Sequence, residues 1–197
     1  MPIPRRLVLA TRNPGKVREI LRICADWGVE WVTHEDAPWP DVPETGTTYL
    51  ENAAAKAMAV AAALGLPAIA DDSGIEVDAL GGGPGVHSAR FAGEDASDER
   101  NLRMLVERIA TVDPGRRTGR YRCLAACAWP EGMGVWAEAT CEGTLILEPR
   151  GSGGFGYDPI FIPTGEMRTM AELAAEEKDA ISHRGRAFRG LRDALRR

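Results

Sequence analysis

Apolar and polar positions along this chain follow two rhythms. Residues 6–11 are a short apolar run ending on Thr11, which predicts a buried strand followed by a polar loop from Arg12 to Lys16. From 17 to 28 the apolar residues Val17, Ile20, Leu21 and Cys24 recur at helical spacing, and Gly28 reads as the stop. Residues 29–33 predict a second strand, and strand, loop, helix, strand predicts layered α/β structure. The proline- and acid-rich stretch 36–47 reads as a loop. Thr48 and Glu51 then form a capping box that opens an alanine-rich helix over 49–64.

Residues 67–71 predict the next strand, closing at Asp71-Asp72 where the sheet is expected to end. A glycine-rich stretch over 78–98 predicts irregular structure, after which Ser97 or Asp98 caps a helix with the face Leu102, Leu105, Val106 and Ile109. Two long strand-like runs meet around Glu131-Gly132 and predict an antiparallel hairpin. A glycine loop over 148–163 runs into a strand, Thr169 with Glu172 predicts a second capping box before a helix, and a last helix packs through Phe188, Leu191 and Leu195. Helical units combined with a hairpin predict an α/β fold with a mixed β-sheet flanked by helices. No internal repeat, low-complexity tract or linker interrupts it.

At 197 residues the chain suits one domain, or two lobes sharing a core. The net charge of −5 argues against a protein that coats nucleic acid, since broad phosphate binding wants a basic surface, but leaves room for a small phosphorylated ligand. No apolar run approaches the ~20 residues of a membrane span, and the apolar stretch after Arg5-Arg6 is too short for a secretion signal. Cys24, Cys123, Cys127 and Cys141 show neither a CxxC pair nor zinc spacing and read as buried thiols of a reducing cytoplasm.

Four stretches could carry chemistry, and each has a plainer reading. Thr11-Arg12-Asn13-Pro14-Gly15-Lys16 lies between strand and helix, where free N–H groups, a lysine and side-chain donors suit an anion; the plain reading is a polar helix cap. Val17 follows Lys16 where a Walker motif would place Ser or Thr, which argues against a kinase. Asp71 and Asp72 face opposite sides if the strand persists, or diverge in a turn closed by Ser73-Gly74. With Glu44 they could hold magnesium, which takes oxygen ligands; the plain reading is an Asx turn. Residues 153–159 set Phe155 and Tyr157 beside glycines, for base stacking or for the core. His183 and Arg184, with Lys178 before them, put cations at a helix start, where the dipole prefers anions; a bound anion or base would explain them, as would a solvated face. Together the stretches supply oxygen ligands, three lysines (Lys16, Lys56, Lys178), an anion loop and a stacking loop, which is what a metal-bound nucleoside triphosphate requires.

Five blocks, LVLATRNPGK, ETGTTYLENAAAKA, ADDSGIEVDALGGGPGVHSARFAG, GGFGYDPIF and EEKDAISHRGRA, closely resemble in order those of the inosine triphosphate pyrophosphatase family, whose bacterial members are XTP/dITP diphosphatases. The resemblance runs from about residue 6 to the C-terminus and is weakest over roughly 100–150. It implies a single nucleotide pyrophosphatase domain over 1–197, with an elongated sheet and a cleft between two lobes. It implies hydrolysis of ITP, dITP and XTP to monophosphate and pyrophosphate with Mg²⁺, in a cytoplasmic homodimer with neither nucleic-acid polymer nor membrane as partner. By position, it puts Thr11, Asn13, Lys16 and Lys56 on the phosphates and makes Glu44 a metal ligand. Asp72 resembles the general base and metal-associated residue, with Asp71 beside it and Ser73 touching substrate. Phe155, Gly156, Tyr157, Asp158, Lys178, His183 and Arg184 resemble the nucleoside pocket. The rivals are a pyrophosphatase of related architecture with other nucleotide substrates, and a nucleotide sensor, which would not need three carboxylates together.

Overall fold

The computed structural model describes residues 3–197; the first two residues of the arginine-bearing opening stretch lie outside them. Its elements in chain order are β1 (Arg6–Leu9), α1 (Pro14–Ile23), β2 (Glu30–Val32), α2 (Tyr49–Leu64), β3 (Ala68–Val77), α3 (Asp98–Ile109), β4 (Thr118–Trp129), β5 (Gly132–Leu145), β6 (Phe161–Pro163), α4 (Ala175–Ile181) and α5 (His183–Leu195). The six strands form one sheet in the order β2-β1-β3-β4-β5-β6. β1 pairs parallel with β2 and β3, whereas β6 pairs antiparallel with β5, so the sheet is mixed as expected. Only Pro130 and Glu131 separate the neighbouring strands β4 and β5, too short a link for a parallel crossover, so they form the predicted hairpin.

The chain divides into two compact units, the first made of Met1–Asp72, Cys123–Ala139 and Arg184–Arg197, the second of Ser73–Arg122 and Thr140–His183. In the first unit the period of two along the strands assigns residues to opposite faces. Leu7 and Leu9 of β1 and Ile69 of β3 join Ile20 of α1, Cys123 and Cys127 of β4, and Phe188 and Leu191 of α5 in one apolar cluster. Val8, Ala68 and Ala70 face the other way, onto Ala57, Val60 and Ala61 of α2. The alanines let α2 lie close to the sheet. Its start is the predicted capping box: the Thr48 hydroxyl accepts from the Glu51 N–H, and the Glu51 carboxylate accepts from the Thr48 N–H, both at 3.2 Å.

The second unit has its own cluster, with Ile75, Val77, Leu105, Ile109, Tyr121, Phe161 and Met170 at its centre. Ser97 caps α3, its hydroxyl accepting from the Arg100 N–H. The long glycine-rich stretch is largely irregular, as read, and contains short 3₁₀ turns. Gly74 permits one close approach: a Cβ there would strike the Gly85 carbonyl and meet the Ser88 hydroxyl at 2.6 Å.

Three expectations are corrected. The Arg12–Lys16 loop is shorter than read, because Asn13 caps α1 by accepting from the N–H groups of Gly15 (2.8 Å) and Lys16 (3.1 Å), and Pro14 suits the first helical position. Thr169 and Glu172 close a turn rather than opening a helix; α4 starts later, where the Glu177 carboxylate accepts from the Ala174 N–H. The sheet does not end at Asp71-Asp72. β3 runs through both and on through Ser73 and Gly74 to Val77, so the carboxylates lie mid-strand.

Candidate active site

The alternation that sorts Ile69 from Ala70 also sorts the two aspartates. Asp71 follows Ile69 onto the α1/α5 side, and Asp72 follows Ala70 onto the α2 side. Their surroundings differ accordingly.

Asp71 is fully buried, and cations from both ends of the chain meet it. Its Oδ2 lies 3.2 Å from Lys16 Nζ and 3.3 Å from both Nε and Nη2 of Arg184. The Arg184 Nη1 in turn donates to Glu19 Oε2 at 2.5 Å, and Glu19 is itself buried on α1. Burial pushes the Asp71 carboxyl up, but Lys16, Arg184 and Lys56 outweigh it and hold the group well below the usual carboxylate range. Arg184 is correspondingly fixed in its charged form: burial opposes the charge, yet Asp71 and Glu19 favour it more. Asp71 thus meets Lys16 and Arg184 on the α1/α5 side, and the Arg184 guanidinium lies between Asp71 and Glu19.

On the other side, Asp72 Oδ2 accepts from Asn52 Nδ2 at 3.0 Å. Burial raises its pKa, against the lowering effects of Lys16, Lys56 and the Asn52 hydrogen bond. Lys56, one turn after Asn52 on α2, donates to Glu44 Oε1 and to the Asp71 carbonyl, both at 2.8 Å. Burial alone would lower the Lys56 pKa, but Glu44, Asp72 and Asp71 raise it, so the ammonium stays charged. Thr11 accepts from the Asn13 N–H at 3.2 Å. Asn13, the α1 cap, fixes the helix start that carries Lys16. The chain has only three lysines, and Lys16, Lys56 and Lys178 each form an ion pair with a carboxylate.

Among the described residues no three His, Cys, Asp or Glu side chains gather as a ready-made metal cluster. Asp72 and Glu44, whose carboxylates both act on Lys56, offer hard oxygen donors. That set fits magnesium, which is commonly held by one or two carboxylates, with water and substrate phosphates completing the shell.

The second unit holds the other candidates. Asp158 Oδ2 accepts from Lys178 Nζ at 2.6 Å and from the Phe155 N–H at 2.9 Å, while its Oδ1 accepts from the Tyr121 hydroxyl at 3.2 Å. Gly154, at φ +69°, brings the loop onto this carboxylate where any Cβ would strike it. Lys178 Nζ also lies 5.2 Å from the centre of the Phe155 ring. The His183 ring stacks on Tyr121 at 4.5 Å with 7° between planes. Tyr157 belongs to the core, its hydroxyl donating to the Ser88 carbonyl at 2.7 Å. The aromatic pair therefore divides: Tyr157 packs, and Phe155 is half-buried with the Lys178 ammonium beside its ring. Gly156 donates its N–H to Asp98 at the start of α3, and Ser73 lies half-buried on β3.

Sequence reasoning missed Glu19, Asn52 and Tyr121. Glu19 had a signal, a carboxylate three residues after Lys16 and beside buried Ile20 on α1; so did Asn52, four residues before Lys56. Tyr121 had none, because a strand tyrosine reads as core.

Lysines and hard-oxygen donors around the middle strand of a mixed sheet mark an α/β protein of the kind that handles small polyanions. Residues 7–194 match the model of the Ham1 family. A Streptomyces coelicolor protein named dITP/XTP pyrophosphatase is 52% identical over 194 residues, covering 97% of both chains. One of the same name from Escherichia coli K12 is 46% identical over 194 residues, covering 98% of both. The structure of a HAM1 protein from Coxiella burnetii superposes with a TM-score of 0.87 at 38% identity, covering 98% of both chains. A Mycobacterium abscessus structure titled nucleoside-triphosphatase / dITP/XTP pyrophosphatase gives 0.75 at 43% identity, covering 94% of this chain and 98% of that one. This chain belongs to the Ham1 family.

Proposed function

We propose that this protein hydrolyses non-standard purine nucleoside triphosphates, ITP, dITP and XTP, to the monophosphate and pyrophosphate. The observation that carries the reading is the placement of Asp72, a buried carboxylate of raised pKa on the α2 face of β3, with Lys16 and Lys56 as its nearby cations. The relatives named dITP/XTP pyrophosphatase support the choice of substrate.

In this reading Thr11, Asn13, Lys16 and Lys56 hold the triphosphate. Lysine charge is preorganised for charge that grows on the leaving pyrophosphate. Asp72 orients the attacking water and takes its proton, and Ser73 touches the substrate beside it. Asp72 and Glu44 would hold a magnesium ion, which supplies Lewis-acid neutralisation of phosphate charge when bound. Phe155 stacks on the base. Gly156, Tyr157, Asp158 and Lys178 shape the pocket, and His183 offers a donor to the oxygen at position 6 of hypoxanthine or xanthine. Adenine presents a donor there, and opposing two donors is costly in a buried pocket. Arg184, its guanidinium held by Asp71 and Glu19, belongs to the nucleoside pocket with His183 in this reading. The protein acts as a homodimer in the cytoplasm; among the described residues no helix is long and apolar enough to cross a membrane.

Incubation with ITP and magnesium, with identification of the leaving group, tests the activity. Pyrophosphate is expected, with ATP and GTP turned over far more slowly; orthophosphate release, or equal rates on all four purines, refutes it. Asp72→Asn should abolish turnover while sparing nucleotide binding.

A further inference from the structure

We propose that Asn52 is a positioning residue for Asp72, and that one face of α2 sets the placement of both Asp72 and Glu44. The inference rests on the reading of those two carboxylates given above.

Asn52 is 1% exposed, and both ends of its amide are used. The Gly46 N–H can only donate, so the Asn52 atom 2.8 Å away is the carbonyl Oδ1. That fixes the amide and turns Nδ2 toward Asp72 Oδ2 at 3.0 Å. The donor is therefore oriented by the backbone before any ligand arrives, and it holds one carboxylate oxygen while the other keeps its direction. Gly46 is part of the device. A Cβ there would meet Asn52 Oδ1 at 2.6 Å and Glu51 Cβ at 2.7 Å, so only glycine lets this backbone reach the amide.

Glu44 lies two residues before Gly46 and is held from the same helix. Lys56, four residues after Asn52 and on the same face, binds its Oε1 at 2.8 Å. Asn52 thus fixes Asp72 directly and the Glu44 segment through Gly46, while Lys56 fixes the Glu44 carboxylate. Two acids from distant parts of the chain are set by one rigid turn of helix. An asparagine that only stapled the loop would need Gly46 but not Asp72.

The test uses Asn52→Leu, which keeps the bulk and removes both hydrogen bonds, and Gly46→Ala, which displaces the amide without touching either acid. Val60→Ala, in the buried face of the same helix, controls for stability. Three quantities are read: kcat and KM with ITP, the melting temperature, and calorimetric Mn²⁺ affinity of protein saturated with a non-hydrolysable inosine triphosphate analogue. Loss of an outer partner of a metal-binding carboxylate commonly reduces metal affinity or activity about 10–100-fold. Asn52→Leu and Gly46→Ala should each lower kcat and Mn²⁺ affinity by that order, with KM for ITP changed less than about threefold, whereas Val60→Ala should melt lower with kcat intact. Unchanged kcat and Mn²⁺ affinity in Asn52→Leu overturns the proposal, as does loss that follows melting temperature equally in all three variants. Should Asn52→Leu fail to fold, Gly46→Ala decides. Wild-type protein that binds the analogue and Mn²⁺ but releases no pyrophosphate from ITP would instead overturn the functional reading.

Discussion

Replacing Arg184 by Met removes the cation that Asp71 and Glu19 share. The three groups are buried, with side-chain exposures of 3% for Arg184, 0% for Asp71 and 7% for Glu19, so solvent screening discounts little. Breaking such a buried arrangement by removing one partner costs about 3–5 kcal/mol, because the remaining charge has lost its compensation. Lys16 still lies 3.2 Å from Asp71, which places the expected loss near the lower end, about 3 kcal/mol. For a chain of this size each kcal/mol moves the melting temperature by roughly 2–4 °C, so a fall of about 6–12 °C is expected at neutral pH. The pH dependence has a definite sign. In the wild type the Asp71 pKa lies below its usual 3.8, so its stabilisation is present at neutral pH and disappears as pH falls through the lower folded value. Without Arg184, burial acts with less opposition and the Asp71 pKa rises, so the variant takes up a proton at higher pH. Its deficit should shrink as the pH falls from neutral towards the wild type's lowered folded value. Scanning calorimetry of both proteins at neutral and at acidic pH measures it. An unchanged melting temperature at neutral pH, or a gap that widens on acidification, refutes the account of Arg184 as a buried counter-ion.

Gly74→Ala should lower stability by about 1–3 kcal/mol in urea titrations, since its Cβ has no room against the Gly85 carbonyl and Ser88; wild-type stability would show that the strand yields there. Thr48→Ala removes half of the capping box and should lower the stability from urea titration by about 1 kcal/mol, and no change would mean that tertiary packing alone holds the start of α2. Burial pushes the Cys127 thiol up to about 12, and it also raises Cys24 and Cys123. At about pH 8 these thiols should resist maleimide in the folded protein and label rapidly in urea; fast native labelling would contradict their burial.

The linear order of residues determined what depends on near neighbours. Thr48 with Glu51 and Ser97 before α3 are local hydrogen-bond devices, and both helices start where those residues place them. The strand runs on either side of the short link after Trp129 left no choice but a hairpin. The blocks containing Lys16, Asp72 and Lys178 were equally legible, because chemistry-bearing residues cluster there in sequence. What the chain order could not disclose is why a strand continues through Asp71, Asp72, Ser73 and Gly74, all poor strand formers by themselves. The reason lies 113 residues away in Arg184, and in Lys16 and Asn52 on two different helices. Local propensity measures an aspartate against water, whereas here the comparison is with a buried site whose cations and amide are delivered by folding. Only packing decided that one acid of the pair would be neutralised inside the protein and the other held on the opposite face.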